Sequence, residues 1–314
     1  MRTEIAGTGR PDVSVVVVTW NSALELPDCV DSLAAEAASL PLEVVCVDNG
    51  SLDTSASIAR AAGWLVLPND ANVGFPAAVN QALAVVQGRT TLLLNPDVRL
   101  APGTLRRCLA ELDADTAIGL VGADLRRADG SPDDAAARRF RSVAHIAAET
   151  FGLTRLSPRF DRQHLPPEAR RTSQDVPCLN GAFVLARTDL LRELGGLDES
   201  AFMYLEDQEL CWTVSQRGLR VRFVAAPATH LAAASTGRAT EAQRAVAHLH
   251  RIDADVEFVR RRQGGSARRV ALLLFVLRAV VSLAGPADRR RRAAVTLRWL
   301  ARQWAGRVPP PPVP

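Results

Sequence analysis

The sequence contains no lysine, so all 38 of its basic residues are arginine. Aromatic residues make up only 5% of the chain, and no strand-like segment alternates aromatic with basic residues as RNA-binding sheets do. An arginine-rich C-terminus could attract nucleic acid, but the first 240 residues carry more acidic than basic side chains. We therefore expect no nucleic-acid partner.

Paired cysteines and long apolar runs are also missing. The five cysteines are odd in number, widely spaced and free of any CxxC pair, which argues against a disulfide framework or a zinc site. The apolar run at 13–18 is short and follows charged residues, unlike a signal peptide, and no run reaches the ~20 residues of a membrane span. These absences favour a reducing, cytoplasmic setting.

Regular alternation of strand and helix patterns dominates the first hundred residues, and a hydrophobic content of 47% is ample for a core. Residues 13–20 and 42–48 are nearly continuous apolar runs, typical of strands buried on both faces of a parallel sheet. We predict an α/β protein with right-handed crossovers. The predicted strands are 13–20, 42–48, 64–67, 90–94, 119–122, 176–186 and 220–224, and the helices 24–38, 53–62, 76–87, 105–112, 189–194 and 206–217. A partly helical insertion is expected over 126–175.

Polar residues follow four of the predicted strands directly. They are Thr19 and Asn21; Asp48 to Ser51; Asn69, Asn72 and Gly74; and Asn95 to Asp97. Ligands of parallel α/β sheets bind at the carboxyl ends of strands, so this placement favours a binding site. Each group alone could instead form a turn or helix cap, and for Ser51 and Asp53 a cap is the better interpretation.

An acidic stretch at 195–211 is the first candidate for catalysis. Two acidic clusters, Asp198–Glu199 and Glu206–Glu209, lie on either side of the apolar segment 202–205. A partly buried carboxylate beside another acid, such as Glu206 or Asp207, gains the basicity that a general base needs. The alternative is the acidic first turn of an ordinary helix, which the helix dipole favours.

The C-terminal segment differs in charge from the rest. Residues 241–314 hold 15 arginines and 5 acids, a net charge of +10, against −6 for residues 1–240. Amphipathic helices are predicted at 241–262 and 295–304, and 270–283 is strongly apolar with Arg278 inside. Arginines and tryptophans beside this run favour a helix lying in the interface of an anionic membrane, although 270–283 could also pack as a core helix.

Seven motifs in order resemble the family 2 glycosyltransferases of GT-A fold, and within them bacterial rhamnosyltransferases acting on polyprenyl-diphosphate-linked N-acetylglucosamine. They span 13–240 and are VSVVVVTWNS (13–22), VDNGSLD (47–53), NDANVGFPAAVNQAL (69–83), LLLNPDV (92–98), LNGAFVLAR (179–187), GGLDESAFMYLEDQEL (195–210) and HLAAASTGR (230–238). The resemblance implies a Rossmann-like, mixed but mainly parallel sheet flanked by helices. It implies a GT-A domain over 1–240, with a nucleotide-binding half (1–104) and an acceptor half (105–240), before a helical, membrane-associating extension (241–314).

The resemblance also implies residue roles. Asp207 matches the general base and Glu206 its neighbour, with the choice between them open from the residues alone. Asp48 would accept the imide N–H of the nucleotide base, while Thr19, Asn21, Asn72, Gly74 and Asn95 would line the nucleotide-sugar pocket. Asp97 and His230 would hold a Mg²⁺ or Mn²⁺ ion, and a structural role for His230 stays nearly as plausible.

The implied reaction is an inverting transfer of L-rhamnose from dTDP-rhamnose to a lipid-linked or polysaccharide acceptor, at the inner face of the cytoplasmic membrane. Alternatives are another donor, such as UDP-galactofuranose or GDP-mannose, or a catalytically silent sugar-nucleotide-binding protein. A dinucleotide-dependent oxidoreductase is excluded because no G-x-G-x-x-G follows the first strand.

Overall fold

A computed structural model describes residues 10–156, 171–231, 240–304, 306, 308 and 310. The strands are β1 Val13–Thr19, β2 Leu42–Asp48, β3 Leu65–Pro68, β4 Thr90–Leu94, β5 Val98–Leu100, β6 Ile118–Arg126, β7 Ala137–Arg138, β8 Gln174–Asp175, β9 Cys178–Leu179, β10 Phe183–Arg187 and β11 Arg220–His230. The helices are α1 Leu26–Ala37, α2 Ser55–Ala61, α3 Phe75–Leu83, α4 Thr104–Ala114, α5 Val143–Thr150, α6 Leu153–Leu156, α7 Thr188–Glu193, α8 Glu206–Gln216, α9 Glu241–Ser282 and α10 Ala287–Gln303.

A nine-stranded sheet forms the centre of the protein, in the order β3-β2-β1-β4-β10-β6-β11-β5, with β8 added on β11. Strands β1 to β4 are mutually parallel, β6 is parallel to β11, and β10 runs antiparallel between β4 and β6. All seven residues of β1 are buried, as expected for an apolar strand with neighbours on both sides. The predicted mixed, mainly parallel α/β sheet is confirmed.

The predicted strand 176–186 is two strands. Strand β9 pairs with β7 in a separate two-stranded sheet, whereas β10 joins the main sheet. The chain changes direction between them because the Asn180 side chain accepts a hydrogen bond from the Ala182 N–H at 2.9 Å, which stabilises a turn that the apolar pattern conceals. Strand β11 extends beyond the predicted residue 224 because it pairs with both β6 and β5.

The predicted insertion at 126–175 contains β7, the helices α5 and α6, and β8, in line with its partly helical prediction. Residues 157–170, with the prolines predicted to be irregular, lie outside the described residues, as does most of the 230–238 motif.

The two helices predicted at 241–262 and 270–283 both lie in α9, which departs from helical geometry at Gly264 (φ 88°). Helix α9 begins at a capping box formed by Thr240 and Gln243. Before the break, Ala254 and Phe258 pack on Ala201 and Leu205 of the acidic stretch. After the break, α9 packs against α5 and α10. The predicted boundary at residue 240 therefore separates segments that contact each other closely.

One face of 270–283 is buried and the opposite face is exposed. Ala271, Leu272 and Phe275 belong to a core cluster with Trp299, whereas the exposed apolar residues are Val270, Leu273, Leu277, Val280, Val281 and Leu283. The core-helix interpretation thus describes the buried face, and contact of the exposed face with a membrane stays a prediction. Among the described helices, none is both long enough and apolar enough to cross a bilayer.

Candidate active site

The carboxyl ends of β1 and β2 bring Thr19 and Asp48 together. Their backbones pair in the parallel register, and Thr19 Oγ1 donates a hydrogen bond of 2.9 Å to Asp48 Oδ1. Both residues are buried to 5% exposure or less. The contact orients the Asp48 carboxylate at the end of its strand, where a ligand of a parallel sheet binds.

Asn49 organises the loop before α3. Its amide nitrogen donates to Asn72 Oδ1 at 2.8 Å, and its amide oxygen accepts from the Val73 N–H and the Asn69 side chain, both at 3.1 Å. Asn72 Oδ1 also accepts from the Gly74 N–H at 3.0 Å. The Asn72 side chain thus shapes the loop through its oxygen. Asn49, which follows Asp48 directly, has no role assigned to it by the sequence motifs.

Asn21 likewise shapes a loop. It has a positive φ of 52°, its N–H donates to Ser51 Oγ at 3.0 Å, and its Oδ1 accepts from the Leu52 N–H at 2.8 Å. Asp53 accepts from the Ala23 and Ser55 N–H groups, but the N-cap residue of α2 is Thr54, so neither Ser51 nor Asp53 is the helix cap that the sequence favoured. These contacts join the β1 and β2 loops into one rim.

Gly74 lies where the loop before α3 contacts the acidic stretch 195–211. Its φ is 91°, and a Cβ there would lie 2.8 Å from the Phe202 carbonyl oxygen, which accepts the Phe75 N–H at 3.0 Å. Nearby, the Asn80 side chain bonds both the N–H and the carbonyl of Leu197. The nucleotide-side loop and the 195–205 segment are therefore held together by backbone contacts that only glycine permits at position 74.

Asp97, His230 and Asp133 form a second group. Strands β5 and β11 pair, which sets His230 Nε2 3.6 Å from Asp97 Oδ1, while Nδ1 lies within hydrogen-bonding distance, 3.0 Å, of Asp133 Oδ2. Burial raises the pKa of Asp97. Burial opposes the charge of His230, but the hydrogen bond to Asp133 and the two carboxylates outweigh it, so its pKa is raised.

The turn Asn180–Ala182 contacts both the end of β4 and the start of α8. The Asn95 N–H donates to the Ala182 carbonyl at 3.0 Å, and the Gly181 N–H donates to Asp207 Oδ2 at 3.3 Å. A Cβ on Gly181 would lie 3.8 Å from the Glu206 carboxylate as well. Asn95 and the two acids predicted for catalysis are thus separated by a single turn.

Glu206 and Asp207 occupy the first turn of α8, as the helix-start interpretation of the acidic stretch expects, while their catalytic role stays a prediction. Burial, reinforced by the charge of Asp207, raises the pKa of Glu206 to about 7. Asp207 forms an ion pair with Arg138, and both side chains are at least 84% buried. Glu209 instead pairs with Arg261 and Arg262 of α9, a contact that holds the helix rather than the site.

Two residues from the insertion, Asp133 and Arg138, are absent from the sequence-based selection. They lie five positions apart in the sequence. Asp133 contacts His230, one of the two proposed metal ligands, and Arg138 contacts Asp207, the proposed base. The DGSPDDAAARR segment that contains them has no apolar periodicity, and only its density of charge beside small residues could have drawn attention.

The model of the family described as Glycosyl transferase family 2 matches residues 14–195, more than half of the chain. This chain belongs to glycosyl transferase family 2. The family 2 resemblance seen in the motifs is confirmed, and the protein is a glycosyltransferase.

Relatives of this family 2 glycosyltransferase include two proteins of Mycobacterium tuberculosis. N-acetylglucosaminyl-diphospho-decaprenol L-rhamnosyltransferase is 29% identical over 242 residues, covering 71% of this chain and 77% of the relative. Pre-mycofactocin glycosyltransferase is 25% identical over 225 residues, covering 69% of this chain and 42% of the relative.

Solved structures share the fold of this family 2 glycosyltransferase at low identity. A mannosyltransferase from Pyrobaculum calidifontis, in complex with GDP-Man and Mn²⁺, has a TM-score of 0.54 at 20% identity and covers 96% of this chain and 77% of its own. Glucosyl-3-phosphoglycerate synthase from Mycobacterium tuberculosis, in complex with phosphoglyceric acid, has a TM-score of 0.53 at 18% identity and covers 80% of each chain. The GT-A-like fold predicted from the motifs is confirmed.

Proposed function

We propose that this glycosyltransferase transfers L-rhamnose from dTDP-rhamnose to a polyprenyl-diphosphate-linked N-acetylglucosamine, with inversion at the anomeric carbon. The observation that carries the proposal is the turn Asn180–Ala182, which contacts Asn95 on the donor side and Asp207 on the acceptor side. The choice of sugars rests on the relative that is 29% identical over 71% of this chain and bears the name of that activity.

The nucleotide would bind at the ends of β1 and β2. The Asp48 carboxylate, oriented by Thr19, is an acceptor for the imide N–H of thymine or uracil. The loop organised by Asn49 would close over the nucleotide, with Asn21 and Asn72 holding its shape and Gly74 letting the backbone approach.

A divalent cation fits Asp97 and His230. The Asp97 carboxylate lies 3.6 Å from Nε2 of His230, and the Asp133 carboxylate contacts the other ring nitrogen. In protein metal sites a ligating histidine commonly has such a carboxylate on its second nitrogen. Among the described residues no cluster of three or more acidic, histidine or cysteine side chains could hold a metal, so diphosphate and water oxygens would complete the coordination. Bound Mg²⁺ or Mn²⁺ would offset the charge that develops on the leaving diphosphate.

The transfer needs one base. The acceptor hydroxyl attacks the anomeric carbon from the face opposite the nucleoside diphosphate, its proton passes to Asp207, and the bond between carbon and phosphate oxygen breaks with its electrons on the diphosphate. No covalent intermediate with the protein forms, and one displacement inverts the configuration.

The lipid-linked acceptor is proposed to be met at the inner face of the cytoplasmic membrane. The exposed apolar residues of α9 recur at three- and four-residue spacing, which is one face of a helix, and Arg269 and Arg289–Arg292 lie exposed beside them. Apolar burial combined with attraction to anionic lipid suits such a face. Trp304 is half exposed and can contribute, whereas Trp299 is buried and bonds the Val308 carbonyl.

The test is a donor and acceptor screen. Purified enzyme is incubated with polyprenyl-diphosphate-N-acetylglucosamine and dTDP-rhamnose, UDP-galactofuranose or GDP-mannose, with and without Mn²⁺. Mass spectrometry should detect a deoxyhexose added only from dTDP-rhamnose, and NMR should show an anomeric configuration opposite to that of the donor. Transfer from another donor would refute the rhamnosyl assignment, and donor binding without any transfer would indicate a silent binding protein.

A further inference from the structure

The Arg138 side chain reaches from the insertion to the candidate base. It lies in β7, paired with Cys178 of β9, and its side chain is 16% exposed. Its Nη2 contacts Asp207 Oδ2, 69 residues away in sequence, while its Nε has no hydrogen-bond partner among the described residues. A guanidinium so enclosed is charged under all ordinary conditions and holds its partner firmly.

Three donors converge on the Asp207 carboxylate. Oδ2 accepts from Arg138 and from the Gly181 N–H at 3.3 Å, and Oδ1 accepts from the Gln208 N–H at 2.7 Å. An ionised carboxylate offers about four acceptor positions, so one remains, on Oδ1. That position is where an acceptor hydroxyl can donate.

Glu206 has the opposite surroundings. Its Oε2 is buried without a hydrogen-bond partner among the described residues, and its raised pKa of about 7 arises first from burial and then from the charge of Asp207. Other titratable groups near Arg138 and the pair are the buried thiols of Cys178 and Cys211 and the buried carboxylate of Asp255, on which the charge of Arg138 acts. A hydrogen bond with Cys178 and burial raise the pKa of Cys211 well above its usual value, so it carries no charge at neutral pH.

We propose that Arg138 is the positioning residue of the Asp207 carboxylate: its ion pair with Oδ2 fixes that carboxylate so that the remaining position on Oδ1 faces the acceptor hydroxyl. This inference rests on the proposed function, because it assigns how Asp207 meets the acceptor hydroxyl. Two buried carboxylates in sequence repel each other when both are ionised. The guanidinium contacts Asp207, whereas the buried Glu206 Oε2 has no hydrogen-bond partner among the described residues, so Asp207 is the acid held in place.

The consequence for the reaction is that Asp207, and not Glu206, takes the proton of the acceptor. As the acceptor O–H bond breaks, its proton moves to Oδ1 of Asp207, while Arg138 keeps its contact with Oδ2. Arg138 touches neither sugar nor diphosphate in this description and acts only through Asp207.

Arg138→Gln and Arg138→Lys test the proposal, with Arg139→Gln as a matched substitution at the adjacent exposed arginine. The acidic limb of the kcat/KM profile reports ionisation of the base in the free enzyme. Loss of an opposite charge at this distance raises the pKa of a carboxylate by about one to three units. The acidic limb should therefore move to higher pH by that amount in Arg138→Gln, and by less in Arg138→Lys. Donor KM should stay within about twofold, since the positioned group is on the acceptor side.

A double substitution separates positioning from a general structural role. If Arg138 acts through Asp207, then Arg138→Gln should lower kcat in the wild type but leave the residual rate of Asp207→Asn unchanged. Equal fold losses in both backgrounds would overturn the proposal.

Carbon-13 NMR of labelled Asp and Glu carboxyl groups gives a readout independent of the sugar. The resonance lost in Glu206→Gln should titrate near pH 7 in the wild type. The resonance lost in Asp207→Asn should shift in Arg138→Gln, because the ion-pair partner is gone, and should stay unchanged in Arg139→Gln. An Asp207 resonance that Arg138→Gln leaves unchanged would overturn the proposal on Arg138 even where rhamnosyl transfer is observed. If the NMR result is as expected but no rhamnosyl transfer occurs, the proposed function fails while the contact between Arg138 and Asp207 stands, so the two failures can be told apart.

Discussion

His230 is hydrogen-bonded to Asp133 through Nδ1 at 3.0 Å, and the opposite ring nitrogen faces Asp97. With the Nδ1 proton donated to Asp133, the Nε2 lone pair is available to a cation shared with Asp97. Asp133 would thus orient a ligand without being one.

The first prediction concerns this orientation. Asp133→Asn should weaken Mn²⁺ binding by about 10- to 100-fold, the usual effect of losing a partner behind a metal-bound histidine. Electron paramagnetic resonance of free Mn²⁺, titrated against protein with dTDP, measures the change without turnover. Asp134→Asn is the control, because that side chain is 49% exposed and pairs with Arg127. An affinity equal to the wild type in Asp133→Asn would mean that His230 is only structural.

The second prediction separates the two acids. Asp207→Asn should reduce kcat by about 10²- to 10⁴-fold, the range for losing a general base, while calorimetric donor affinity is retained. Glu206→Gln keeps a neutral group of the same shape and should reduce kcat by less than about tenfold. The reverse order of the two losses would move the base to Glu206.

A third prediction follows from the raised pKa of Glu206, about 7 against an ordinary 4.5. The folded protein holds the Glu206 proton more tightly than the unfolded chain, so this group favours folding below about pH 4.5 and that contribution is lost as pH rises through about 7. Glu206→Gln should therefore gain stability relative to the wild type between pH 5 and pH 7.5, by up to about 3 kcal/mol. Urea unfolding of both proteins at the two pH values measures the difference, and a constant difference would contradict it.

The fourth prediction tests the contact between the donor loop and the acidic stretch. Gly74→Ala sets a Cβ 2.8 Å from the Phe202 carbonyl in a left-handed conformation, whereas Gly130→Ala has a similar φ of 80° and nothing within 4 Å. The strain common to both is about 1 to 2 kcal/mol. Thermal unfolding should show a larger loss in Gly74→Ala, accompanied by weaker donor binding, and equal losses would show that the Phe202 contact is unimportant.

The fifth prediction addresses the exposed face of α9. Leu273→Glu combined with Leu277→Glu should abolish sedimentation with vesicles containing anionic lipid, because each change removes exposed apolar area and adds repulsion. Leu52→Glu is the control, since Leu52 is 95% exposed but lies in the donor-side loop. A wild-type protein that fails to bind such vesicles at low salt would refute the membrane proposal.

Local patterns in the sequence were sufficient to predict the strands of residues 1–104. Apolar, β-branched runs can be stable only when buried in a sheet, so β1, β2 and β4 were predictable, and with them the edge where Thr19, Asp48 and Asn95 lie. The same logic failed at 176–186, because an apolar pattern does not reveal that Asn180 turns the chain between two sheets. It also failed at 262–270, where α9 continues with a break only at Gly264.

The sequence by itself thus determined the family, the sheet and the identity of the two candidate acids, since each depends on residues close together in the chain. Only the tertiary structure decided how those acids differ. Arg138 and Asp133 lie 69 and 97 positions from the groups they hold, in a segment without periodicity. Contacts at such separation depend on the packing of β7 against β9 and on the end of β11, which bring one short segment to both the cation pair and the base.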